Sequence, residues 1–137
     1  MGDRYTVISA DCHAGGQLHD YRTYLEPRYR DEFDTWAATY EIPYDDLKGP
    51  NGSRNWDSAR RRRELEDDGI VAEVIYPNLA FFCCFHIRDP ELQIATARLY
   101  NEWAADRFVT ASERFAPIAV LPVADIAAGY GGEVATR

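Results

Sequence analysis

An aspartate and a histidine stand two residues apart, Asp11 and His13, at the end of an apolar run and just before a glycine pair, Gly15-Gly16. Side chains alternate along a β-strand, so these two project to one side while Cys12 faces the other. A carboxylate and an imidazole so placed can grip one metal ion from a rigid edge. The carboxyl ends of strands are also where α/β folds gather their sites. Gly15 and Gly16 let the chain turn away without crowding what sits there. The plainer alternative is that Asp11 opens a turn by bonding backbone amides and His13 is a loop residue.

The elements that position this pair are legible from pattern. Tyr5 to Ala10 (YTVISA) is mostly apolar and β-branched, which predicts a strand buried on both faces. Residues 17 to 56 predict short helices and turns broken by Pro27 and Pro43, with DDLKGPNGSRN as a loop. A helix capped by Asp57 or Ser58 runs through ARRRRELEDD to Gly69, the natural left-handed stop. Ile70 to Tyr76 (IVAEVIY) is a second strand, ended by Pro77. Asp89-Pro90-Glu91 starts another helix, which reaches about Ala111 with Leu92, Ala95, Leu99, Trp103 and Ala104 as its apolar stripe. Phe115 to Val123 (FAPIAVLPV) is the third strand.

Helical crossovers between apolar strands predict a parallel sheet, hence an α/β fold. There is no internal repeat and no low-complexity linker, so a single domain is expected. After Asp125 a further helix is due, yet AGYGG (Ala128 to Gly132) makes a poor helix interior. Three strands cannot close a barrel, and an open sheet of that size leaves both edges exposed.

Fifteen basic residues against 23 acidic ones give a net charge of −8. That argues against nucleic acid or an anionic membrane as a general partner, because phosphate neutralisation needs a basic face. No window approaches the length of a membrane span. Cys12, Cys83 and Cys84 form an odd set with two adjacent members, which suits a reducing cytoplasm rather than a disulfide scaffold. It also fits poorly with the ligand spacing of a structural zinc cluster.

Asn78 after the second strand, and His86 in the loop leading to the next helix, are candidate substrate-binding residues; a turn asparagine and an ordinary loop histidine are the alternatives. Leu79 to Phe85, seven apolar residues in a row, fit a pocket wall, a subunit contact in a homo-oligomer, or core packing equally. Arg60 to Arg63 predict a solvated, salt-bridged helix face, with Arg60–Glu64, Arg62–Glu66 and Arg63–Asp67 at i, i+4. The basic start and acidic end of that helix oppose its dipole, which calls for compensating contacts elsewhere in the fold.

VISADCHAGG resembles the first-strand motif of the amidohydrolase-related metal-dependent hydrolases, the branch that includes aminocarboxymuconate-semialdehyde decarboxylase and the resorcylate-type decarboxylases. The resemblance continues through NWDSARRRRELEDDGIVAEVIYPN, DPELQIATARLYNEWAADRF and ERFAPIAVLPVADI, from Tyr5 to about Ile126. It implies a partial (β/α)8 TIM barrel, with residues 1–137 as the N-terminal part of one barrel domain of about 250 residues. It implies a divalent metal, typically zinc, with Asp11 and His13 as first-strand ligands. A middle-strand histidine and a late-strand aspartate would lie beyond the third strand. The family's usual Glu-Pro after the ligand pair is replaced here by Gly15-Gly16. The implied activity is metal-assisted hydrolysis or decarboxylation of a small molecule such as a carboxylic acid, weak in a chain holding two of the ligands. The alternative is a non-catalytic remnant or interaction module.

Overall fold

The computed structural model describes residues 5–41, 48–78, 87 and 89–122. The chain runs through β1 (Ile8–Ala14), α1 (Leu18–Tyr21), a 3-10 turn (Pro27–Tyr29), α2 (Arg30–Ala37), a second 3-10 turn (Gly52–Asn55) and α3 (Ser58–Asp67). It continues through β2 (Ala72–Pro77), α4 (Pro90–Ala104) and β3 (Phe115–Pro117). A five-residue π-helical turn, Ala105–Val109, extends α4. The strands form one parallel sheet in the order β1-β2-β3. The protein is thus mixed α/β. Cys83, Cys84, His86, the apolar run from Leu79 to Phe85 and the glycine-rich segment after Asp125 lie outside the described residues.

The helix ends follow their local chemistry. Asp57 accepts the N–H of Arg60 at 2.9 Å and Asp89 that of Leu92 at 3.1 Å, each satisfying a donor that the first helical turn leaves open. Gly69 has φ +71°, a left-handed conformation that only glycine adopts without strain. Around it Ile70 donates to the Leu65 carbonyl at 2.9 Å and Gly69 to that of Glu66 at 3.3 Å. These paired bonds close α3 and turn the chain straight into β2. In α4 the buried positions include Ala95, Leu99, Trp103 and Ala104 from the expected stripe, with Leu92 half-buried.

The helices pack on one face of the sheet. Along β2, Glu73, Ile75 and Pro77 are buried while Ala72, Val74 and Tyr76 are half-buried or exposed. Their lateral partners follow suit: Phe115 beside Glu73, and Ala14 beside Pro77, are buried. Behind that face lie Leu65, Leu99, Tyr100, Trp103 and Phe108. The expectation of strands buried on both faces is therefore corrected. Ile8 is 58% exposed and Tyr76 39%. An apolar strand sequence records what a face can bury, and among the described residues no second layer covers it here.

Two strand boundaries also differ. The apolar run Tyr5 to Ala10, with Asp11 and His13 at its finish, is the expected first strand; β1 spans Ile8–Ala14, starting later and carrying both residues well within it. The third was expected to Val123, but β3 is Phe115–Pro117. Pro117 removes a ladder donor, and among the described residues the Ile118 N–H to Ile75 carbonyl bond, 2.8 Å, continues the pairing.

The arginine run does not form one solvated face. Arg62 and Glu66 make a loose exposed pair at 3.9 Å, of little energetic weight. Arg60 bonds Glu64 at 2.8 Å and also staples the preceding loop through the Pro50 carbonyl and the Ser53 hydroxyl. Arg61, by contrast, is buried and ion-paired to Glu73. The dipole conflict of α3 is met from outside the helix. Arg114 reaches back from just before β3 to the Glu66 carboxylate (3.1 Å) and to the carbonyls of Ile70 and Val71 (2.6 Å each). Its cation thus stands at the acidic carboxyl end, where the dipole favours positive charge.

Candidate functional site

β1 carries an irregularity that sequence periodicity does not reveal. Its register steps from Ser9 opposite Glu73 to Cys12 opposite Ile75, three residues against two. This is a β-bulge, which adds one residue and re-aims its neighbours. Because of it Ser9 and Cys12, three apart, lie on the same covered face, Ser9 Oγ and Cys12 Sγ being 3.0 Å apart. Burial pushes the Cys12 thiol up, partly offset by its bond to Ser9, and Glu73 pushes it up further. The thiol is therefore held protonated at neutral pH, away from Asp11 and His13.

Those two residues meet on the open face. Asp11 Oδ1 is 3.5 Å from His13 Nε2, and the side chains are 94% and 54% exposed. The imidazole leans on the Tyr76 ring, with centroids 5.9 Å apart and planes tilted by 37°. An exposed carboxylate and imidazole, side by side, are donors of the kinds zinc accepts. They supply two ligands. Among the described residues no group of three or more His, Cys, Asp or Glu side chains gathers to hold a metal.

Behind the pair the backbone is fastened at several points. Arg61 Nη1 donates to the carbonyls of His13 (3.0 Å) and Arg54 (2.9 Å), while its Nε bonds the Glu73 carboxylate. Where β1 ends, the Gly15 N–H donates to the Asn55 carbonyl at 3.2 Å and the Gly16 N–H to the Tyr21 hydroxyl at 2.6 Å. Asn78 continues β2 at the same rim. Its N–H donates to the Ala14 carbonyl at 3.0 Å, and its amide nitrogen to Asn55 Oδ1 at 3.2 Å. Asn55 is itself buried and donates to the Gly52 carbonyl at 2.9 Å. Asn78 thus ties the second strand's end to the loop before α3. His19, in α1, is exposed and 3.4 Å from the Asp20 carboxylate, apart from this site.

The glycine pair matters for close approach. A Cβ on Gly16 would sit 2.9 Å from Trp103 Nε1 and 3.0 Å from its Cε2; one on Gly15 would meet Asn78 Cβ at 3.0 Å. At this turn the missing side chains make room for the protein's own packing. Gly16→Ala is accordingly expected to cost about 1–3 kcal/mol through overpacking against a buried indole. Urea denaturation measures this, and a variant as stable as the parent would show that the indole yields freely.

Sequence reasoning missed Arg61, Glu73, Asn55 and Tyr21. Two of them left a signal. Leu65 is the single leucine of α3, and Arg61 lies four residues before it on the same helical face. Glu73 is the sole charge in an otherwise apolar strand, and a buried carboxylate demands a partner. Nothing in pattern alone would have singled out Asn55 or Tyr21.

The fold and site define a mixed α/β protein with a three-stranded parallel sheet and an Asp-x-His pair near its carboxyl edge. No protein-family model matches the chain, and no curated protein matches it either. Among the described residues no helix is long and apolar enough to cross a membrane.

Proposed function

We propose that this chain contributes the first strands of an amidohydrolase-type (β/α)8 barrel, and that Asp11 and His13 are ligands for a divalent metal, most naturally zinc. The activity so assigned is metal-dependent hydrolysis or decarboxylation of a small carboxylic acid, in the cytoplasm. Sheet order supports the barrel. Parallel strands in sequential order with helices on one face are the arrangement of a (β/α)8 barrel, whereas a doubly wound sheet reverses its order and covers both faces. On this reading the open face bearing Ile8, Tyr76 and Ile118 is the barrel interior.

The observation that carries the metal assignment is the 3.5 Å approach of Asp11 Oδ1 to His13 Nε2 on the exposed face of β1. When bound, zinc supplies Lewis acidity that polarises an oxygen of substrate or water. The residues of this chain bind and orient: Asp11 offers negative charge, His13 a nitrogen donor, and Tyr76 an aromatic wall beside the imidazole. Asn78 stands at the same rim as a candidate substrate contact.

Equilibrium dialysis of the full chain against zinc, with elemental analysis, tests the assignment. Zinc uptake is expected to be weak, because two protein donors stand where zinc sites use three or four. D11A and H13A are each expected to weaken it beyond the roughly 10- to 100-fold that loss of an outer partner costs. Uptake that survives both substitutions overturns the assignment. No uptake in the parent chain favours the second reading, an interaction module, for which the uncovered apolar face of the sheet is the supporting observation.

A further inference from the structure

We propose that Arg61 is a positioning residue for His13, so that the buried Arg61–Glu73 pair sets the geometry of the exposed Asp11–His13 site from the opposite face of the sheet. The proposal rests on the reading of Asp11 and His13 as metal ligands. Arg61 is 9% exposed and Glu73 3%, so this is an interior ion pair. An interior pair of this kind contributes little net stability against a well-packed apolar replacement. What distinguishes it is where its remaining donors go. One nitrogen of the guanidinium bonds the carbonyl of His13 itself and, in the neighbouring loop, that of Arg54.

The position of that clamp is significant. β1 is bulged between Ser9 and Cys12, and a bulge loosens the ladder where it occurs. His13 follows directly. Fixing its carbonyl fixes the peptide plane on its carboxyl side, and backbone conformation selects the rotamers open to the imidazole. Glu73 in turn holds the guanidinium, and the Phe108 ring lies 5.9 Å from Arg61 Cζ. The planar fork suits Arg alone: lysine keeps the charge but cannot serve a carboxylate and two carbonyls in fixed directions.

The test compares the full-length parent with R61K in two measurements. In the metal-free proteins, proton cross-relaxation between the His13 and Tyr76 rings reports whether the imidazole keeps its place. Separately, cobalt(II) added alone, followed by its visible absorption, reports ligand affinity. R61K is expected to keep its circular dichroism and a cooperative melt, to lose most of the His13–Tyr76 cross-peak, and to bind cobalt about 10- to 100-fold more weakly. Should R61K not fold, R61Q combined with E73Q removes both charges together and takes its place. A variant with a lower melting midpoint but an unchanged cross-peak in the folded state shows a structural role alone and overturns the proposal. So does a parent chain that shows no cross-peak. If the parent takes up no cobalt, the metal reading fails, and the cross-peak comparison still decides whether Arg61 places His13.

Discussion

Replacing Arg61 with methionine is expected to destabilise the chain by about 3–5 kcal/mol, the usual cost of leaving one half of a buried ion pair without its partner. Methionine fills similar volume, so little of the effect comes from a cavity. The loss comes from Glu73, a carboxylate at 3% exposure left without its guanidinium partner, and from the His13 and Arg54 carbonyls, which lose their donor. Domains are typically stable by about 5–15 kcal/mol, so R61M stands near the edge of folding at room temperature. Urea unfolding followed by tryptophan fluorescence measures this. Adding E73Q to R61M is expected to recover part of the loss, because the second substitution removes the stranded charge; the two are in direct contact and cannot be additive. An R61M chain within about 1 kcal/mol of the parent would mean that water reaches the pair.

Trp103→Ala is the second large expected loss, again about 3–5 kcal/mol. Trp103 is fully buried at the centre of the aromatic core. Its ring meets Tyr21 edge-on at 5.3 Å, Phe108 edge-on at 5.7 Å and Tyr100 at 5.7 Å. It also backs Gly16 at the rim of the site. Removing it opens a cavity between α4 and the β1–α1 turn, so the Gly16 to Tyr21 hydrogen bond is expected to loosen along with the core. Its Nε1 has no hydrogen-bond partner among the described residues. Trp103→Phe therefore gives up volume but no hydrogen bond, and is expected to cost clearly less than Trp103→Ala. Equal losses in the two variants would show that the indole nitrogen has a partner in solution. A W103A loss below about 1 kcal/mol would contradict the packing described.

The two variants also separate the two levels at which the site is built. Trp103 sets the shape of the turn that leaves β1, and Arg61 sets the backbone of β1 itself. Both act from the covered face. The groups that could do chemistry, Asp11 and His13, are exposed on the other face and contribute little to holding the fold together. Substituting either is therefore expected to leave stability nearly unchanged, as for surface positions generally.

The sequence by itself determined what depends on neighbours within a turn or two. Asp57 and Asp89 cap α3 and α4 because a short carboxylate side chain reaches amides three residues on. Gly69 ends α3 because a left-handed residue is needed there, and the spacing of apolar residues in α4 marks its buried side. The same locality placed Asp11 and His13 on one side of a strand. Tertiary structure alone decided the bulge that puts Ser9 and Cys12 together, the single covered face of the sheet, and the fate of the arginine run. Four consecutive arginines look alike in one dimension. Which of them is buried depends on where Glu73 stands on a strand twelve residues further along, and on which face of that strand the helices cover. Such facts arise from packing between distant segments, and no periodicity within either segment contains them.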